Sequence, residues 1–271
     1  RIDSGILGGD KMAYGDWLLL KRENNIATIT LNHPETLNLV NWQLLEEMDE
    51  IQNEIEKDES VRAIIINANG DHFSAGIDLK ILEKVNSQFV MRNLTWLQRV
   101  YGRWQEWNIP VIAAIHGLCY GSAMELILGC DIRIASEDSR FAIPEVRFAL
   151  SPDMGGTTRL TKLVGVGQAK RLIMGCEEIN VQEAYNIGLV EIVVKREELM
   201  DRAQKLAQRM VNLPPAAIAF AKKGINLAGE SSVTAGLLFE QAQSTFCCGT
   251  QDQNESIRAF FEKRKPEFKG Y

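Results

Sequence analysis

Two apolar runs, residues 111–115 and 132–135, the second interrupted by Arg133, stand on either side of a turn of small residues at 117–123. A short apolar helix candidate follows that turn and carries a single acid, Glu125. Both runs have strand character, and small residues between strand and helix permit close packing. Beyond the second run a loop carries Glu145 directly after Pro144, and Asp153 just before Gly155 and Gly156. Acids set in apolar and glycine-rich sequence are costly to bury unless paired or neutralised. That cost makes the three acids candidates for chemistry.

The surrounding chain mixes the two periodicities. The stretches 17–22 (WLLLKR) and 26–31 (IATITL) flank Asn24 and Asn25, which reads as a β-hairpin. Leu44, Met48, Ile51 and Ile55 recur at helical spacing, residues 61–66 form a buried strand candidate, and 86–107 form a long helical stretch. After Gly155 come helical pieces at 156–164, 167–174 and 181–187, a strand at 190–194, and helices from 196, 216, 233 and 252. This pattern predicts an α/β fold with a helical C-terminal part. At 271 residues the chain suffices for one large domain, or one domain with a helical appendage. A strand–strand–helix order recurs in the first half without a fixed sequence period.

Composition closes off several functions. A formal net charge of −6 gives no general case for nucleic acid. Five irregularly spaced cysteines read as reduced thiols in a cytosol-like compartment, so a cytoplasmic protein is expected. No apolar run approaches the roughly 18 residues of a membrane span. HExxH, CxxC and GxSxG are all absent, which disfavours metal and serine-nucleophile chemistry.

Each candidate also has a bland reading. The loop 73–79 (FSAGIDL) brings backbone close to a ligand and can aim N–H groups at a carbonyl oxygen; otherwise it is an ordinary turn. The turn at 117–123 places a helix N-terminus where an oxyanion is favoured; otherwise it serves packing. Glu125 could form a structural ion pair with Arg133 or Arg147, Glu145 could be a surface acid, and Asp153 could cap the following helix. His116 reads as a satisfied, half-buried side chain. Trp96, Tyr101, Trp104 and Trp107, at roughly helical spacing, read as core or a subunit contact. The basic run 263–265 suits a helix C-terminus. Together, the acids and the two candidate sets of N–H donors point to an acid–base site.

These residues are similar to the crotonase, or enoyl-CoA hydratase/isomerase, superfamily. LNHPETLN, VRAIIINANGDHFSAGIDL, IPVIAAIHGLCYGSAMELILGCDIRIAS, FAIPEVRFALSPDMGGTTRL and AFFEKRKPEF match family blocks in order between residues 17 and 268. The resemblance implies a crotonase-like spiral of ββα units over 13–200 and a helical oligomerisation region over 201–271. Residues 1–12 are expected to be a disordered or tag-derived leader. It implies a homotrimer or dimer of trimers, acting on a coenzyme A thioester without further cofactor or metal. The thioester oxygen would accept the N–H groups of Ile77 and Ser122. Glu125 and Glu145 would be the hydratase carboxylates, and Ala75, Lys80 and Lys265 would bind coenzyme A.

Two departures divide the activity. Ser122 and Ala123 follow Gly121 where the family often has three glycines. Asp153 stands where simple hydratases commonly have glycine and dienoyl-CoA isomerases have Asp, whereas Glu125 is Asp in that isomerase group. The expected activity is reversible hydration of a 2-enoyl-CoA. The alternative is double-bond isomerisation through Glu145 and Asp153. A third reading, a non-catalytic acyl-CoA- or RNA-binding relative, is opposed by the intact acids.

Overall fold

The computed structural model describes residues Met12–Ala13, 15–83 and 85–270. Apart from Met12, the leader expected over 1–12 lies outside the described residues. Strand β1 (Met12–Ala13) pairs with β2 (Leu18–Glu23), which forms the expected hairpin with β3 (Ile26–Leu31). Asn24 and Asn25 take φ of 53° and 63°. A two-residue turn with both φ positive follows the natural twist of paired strands. Helix α1 (Trp42–Ile55) starts where Asn41 accepts the Leu44 N–H at 2.9 Å.

From there the sheet turns parallel. Strand β4 (Ala63–Ala68) pairs with β3 and with β5 (Val111–Ile115); β7 (Ile132–Ser136) follows, then β10 (Ile192–Val194). The central strands β4, β5 and β7 read as near-continuous apolar runs because both their faces are covered. Ile64, Ile66, Ala113 and Ile115 face the main core with α1 and the long helix α3 (Ser87–Glu106). Ala63, Ile65, Ile112 and Ala114 face Leu199, Ala203 and Ala207 of α7 (Leu199–Val211). The sequence placed the β4 strand at 61–66; its ladder begins two residues later.

A second sheet joins β6 (Leu118–Tyr120), β8 (Arg140–Ala142) and β9 (Ile179–Asn180). Its three strands went unread in the sequence, being too short to show a period. A bridge from Ser74 to Cys119 extends it. Each turn of the chain therefore puts one segment in the large sheet, one in the small sheet, and then a helix. β4, the Ser74 bridge, the short α2 (Leu79–Leu82) and α3 form one turn. β5, β6 and α4 (Ser122–Leu128) form the next, and β7, β8 and α5 (Gly156–Gly175) the third. This is the ββα spiral. Gly165, at φ 82° and ψ 160°, breaks α5 between the two helical pieces expected there. α6 (Val181–Asn186) leads from β9 to β10.

Three helices complete the described chain: α8 (Pro215–Ala228), α9 (Val233–Cys247) and α10 (Gln251–Glu262). Lys222 fixes α8 to the spiral. Its Nζ donates to Asp131 Oδ2 at 2.7 Å and to the carbonyls of Trp104 and Ile109 at 2.6 and 2.9 Å. Asp131 Oδ2 also accepts the Val111 N–H at 2.7 Å, so one buried pair ties α8 to the edge of β5. Tyr101 and Trp104 are wholly buried, as the core reading expected. His116 is buried with its Nε2 against the Gly70 carbonyl at 3.1 Å.

Removing one partner of a buried pair leaves the other uncompensated, at a cost of about 3–5 kcal/mol. Lys222→Met should therefore lower unfolding stability by about 3 kcal/mol, measured as a shift of the urea midpoint at neutral pH.

Candidate active site

Glu125 sits in the middle of α4, every residue of which is buried, and is itself 1 % exposed. Its Oε1 accepts the N–H groups of Met154 and Gly156, each at 2.9 Å. Helix α5 begins at Gly155 without a side-chain cap of its own. The carboxylate from α4 thus satisfies orphan donors at the start of α5, where negative charge is favoured. This corrects two bland readings. Asp153 does not cap α5, and Glu125 pairs with neither arginine. Arg133 binds Glu191 and the carbonyls of Leu189 and Cys130, while Arg147 donates to the Cys176 carbonyl at 2.9 Å. Gly156 is required by this contact, since a Cβ there would lie 2.9 Å from Glu125 Oε1 and 2.5 Å from Pro152 Cβ.

Glu145 opens a 3-10 turn (Glu145–Phe148) directly after Pro144. Its Oε2 is buried with no hydrogen-bond partner among the described residues, so it is not a surface acid. Asp153 is held through its backbone. Its carbonyl accepts Gln98 Nε2 at 2.7 Å, and the next carbonyl, Met154, accepts Arg159 Nη1 at 3.0 Å.

The two expected donors share one construction. Gly76 (φ 95°) precedes Ile77, and Gly121 (φ 52°) precedes Ser122. A Cβ on Gly76 would meet the Tyr120 carbonyl at 2.8 Å, and one on Gly121 would meet Glu145 Oε1 at 3.0 Å. The glycines turn the chain where a side chain is both strained and crowded. Ser122 is the first residue of α4, where an N–H has no intrahelical partner. Among the described residues, neither the Ile77 nor the Ser122 N–H donates a hydrogen bond.

Ile77, Ser122, Glu125, Glu145 and Asp153 all line one chamber of about 110 Å³. It adjoins an outer cavity of about 530 Å³. Ile77, Leu82, Glu145 and Leu150 belong to both walls. Ala75 and Lys80 line the outer cavity. Lys265 does not join them: it lies exposed beyond α10. Among the described residues no group of three or more His, Cys, Asp or Glu is placed to hold a metal ion.

Burial dominates the electrostatics. It pushes Glu125 up to about 8, with the Glu145 charge adding to it against the pull of the Gly156 and Met154 N–H bonds. Burial pushes Glu145 up to about 7, with the Asp153 charge adding to it. Asp153, the exposed member of the three, is raised by partial burial. Close carboxyls do not all ionise, and their protons belong to the cluster. Tyr101 is the neighbour that the sequence reading missed. It was taken as core, and it is, but burial and the charges of all three acids push its phenol upward. Its aromatic spacing on α3 carried no sign of this. Arg147 and Tyr120, on the outer wall, were missed likewise.

Residues 21–271 match the sequence profile of the family described as enoyl-CoA hydratase/isomerase. The short-chain-enoyl-CoA hydratase of Clostridium acetobutylicum is 38% identical, over 92% of this chain and 96% of that protein. The crotonyl-CoA hydratase of Syntrophomonas wolfei is 34% identical, over 95% and 99%. A crystal structure of enoyl-CoA hydratase from Bacillus anthracis superimposes with a TM-score of 0.90 at 33% identity, covering 94% of this chain and all of the other.

The raised carboxyls fix the sign of a pH effect. Between the ordinary value of 4.5 and about 8, folded Glu125 holds its proton while the unfolded chain releases it. Stability linked to this group is present below pH 4.5 and is lost as pH rises through that window. Glu125→Gln should flatten the fall of the thermal midpoint between pH 5 and about 8, measured beside the unaltered protein.

Proposed function

The chain belongs to the enoyl-CoA hydratase/isomerase family, and from that premise we propose that it catalyses reversible hydration of a 2-enoyl-CoA to a 3-hydroxyacyl-CoA. The observation that carries this reading is the pairing of Glu125 and Glu145 in one chamber with the Ile77 and Ser122 N–H groups. Hydration needs an acid and a base on one substrate, and an electrophile for its carbonyl. The thioester oxygen accepts both N–H bonds, which strengthen as negative charge gathers on it. Losing one such donor typically costs about 2.7–4 kcal/mol of transition-state stabilisation.

Glu125 takes a proton from water as the hydroxyl adds to the β-carbon, and Glu145 gives a proton to the α-carbon. Solvent exchange then returns the pair to its starting protonation. Two features favour this division. Glu125 Oε1 accepts two N–H bonds, which pull toward the anion against the burial that raises the group to about 8, so in the reactive form the proton shared by the cluster sits on Glu145. Glu145 Oε2 is buried without a partner among the described residues, which suits a carboxyl holding a transferable proton. The chemistry consumes only water and the thioester, so no further cofactor is invoked.

Asp153 supports a second reading. It lines the same chamber, and with Glu145 it could move a proton between distant carbons of a dienoyl chain without adding water. A product mass greater by one water identifies hydration; an unchanged mass identifies isomerisation.

We further propose that copies assemble as a trimer or dimer of trimers through α8–α10. Those helices expose Ile225, Leu238, Phe246, Phe260 and Phe261, each more than half accessible in the single chain. In such an assembly Lys265 would reach the coenzyme A phosphates of a neighbouring copy. No helix of the described residues is long and apolar enough to cross a membrane; a cytoplasmic enzyme is the reading we adopt.

Glu145→Gln keeps the size of the side chain and removes its proton. Turnover of crotonyl-CoA should fall about 10²–10⁴-fold, with thioester binding largely kept. Glu125→Gln should be comparably severe and Asp153→Asn milder; isomerisation would reverse that order. Light scattering at micromolar concentration should give a multiple of the 30.4 kDa chain mass, and a mass near 30.4 kDa would remove the assembly proposal.

A further inference from the structure

The inner chamber differs from the outer cavity in size and in kind. Trp42, Leu45, Phe89, Leu94 and Leu97 line the inner chamber and not the outer cavity. Among the described residues that line it, the polar groups are the three acids, Ser122, Ser151 and the Trp42 indole. An apolar cavity of about 150 Å³ holds the six carbons of benzene. On that scale 110 Å³ has room for about four carbons.

The wall bearing Trp42 and Phe89 is built firmly. Trp42 is the first residue of α1, and Phe89 lies in the first turn of α3. Their rings meet at a tilt, with centroids 4.9 Å apart. Both helix starts are capped by asparagine. Asn41 accepts the Leu44 N–H at 2.9 Å, and Asn86 accepts the Phe89 N–H at 3.0 Å. Moving the aromatic pair aside would disturb two capped helix starts, so the wall resists a longer chain.

Resting on the hydratase reading above, we infer that this chain is selective for short, unsubstituted acyl groups of about four carbons, with the Trp42–Phe89 pair as the stop. Two exclusions follow. Each methylene beyond the stop must displace packed side chains. An acyl group ending in a carboxylate would bring another negative charge into a chamber that, among the described residues, is lined by three acids and by no lysine, arginine or histidine.

The test compares kcat/KM for the coenzyme A thioesters of 2-butenoic, 2-hexenoic, 2-decenoic and hex-2-enedioic acids, with products identified by a mass gain of one water. One unaccommodated methylene costs about 10–200-fold. The hexenoyl thioester should therefore fall at least about 10-fold below the butenoyl, and the decenoyl and enedioyl at least about 100-fold. Phe89→Ala should raise the decenoyl-to-butenoyl ratio at least about 10-fold and leave the enedioyl thioester poor. Phe89→Leu, a smaller change at the same place, serves if the alanine variant misfolds, and should shift the ratio in the same direction. Equal use of the butenoyl and decenoyl thioesters by the unaltered protein, or a ratio unmoved in a folded Phe89 variant, would overturn the inference and leave hydration standing. Hydration of none of the thioesters would overturn the function instead. Selectivity would then be read by calorimetry from butanoyl- against decanoyl-CoA binding, with tighter decanoyl binding sinking the inference on its own.

Discussion

The carboxylate of Glu125 holds together the parts on which everything else depends. It projects from α4, which follows the β5–β6 turn, and its Oε1 takes the Met154 and Gly156 N–H groups at the head of α5. Successive layers of the spiral are thereby joined at one oxygen. The same contact orders the segment carrying Asp153, whose outer side is held by Gln98 and Arg159. A charge this deeply buried is costly, and the cost appears as a carboxyl displaced upward toward neutrality. The N–H bonds that make the loop rigid pull the carboxyl back toward its anion against that burial. On the proposed mechanism, structural and chemical roles for Glu125 are not alternatives.

Much of the architecture was legible because burial leaves a pattern. The near-continuous apolar runs of β4, β5 and β7 record strands covered on both faces, by the main core on one side and α7 on the other. Asn24–Asn25, Asn41 and Gly165 are local signals, and the chain obeys each of them. What escaped was short or non-local. β6, β8 and β9 have two or three residues apiece, and each pairs with a segment distant in sequence. The partners of Glu125 lie 29 and 31 residues away, and they are backbone amides, which no residue code announces. Arginine looked the natural partner, yet Arg133 was already committed to Glu191 and to carbonyls.

The site shows the same division. The acids were visible as charges out of place, and the paired glycines before Ile77 and Ser122 as turns without side chains. Replacing two glycines of the familiar triplet by Ser122 and Ala123 leaves the donor available, because the residue needing positive φ is Gly121 alone. Tyr101 was invisible as part of the cluster. Its place beside the acids depends on how α3 crosses α4, a packing relation absent from the spacing of aromatics along one helix.

The chamber has one further property. Its acids and N–H donors come from residues 77 and 122–153, whereas Trp42, Leu45, Phe89, Leu94 and Leu97 come from α1 and α3. On the proposed function, the proton-moving groups and the aromatic wall come from separate stretches of chain, with Ile77, and Leu150 and Met154 of the acid-bearing stretch, joining the lining. Inherited variation in the first turns of those two helices can retune what such a protein accepts while the proton-moving groups are copied unchanged.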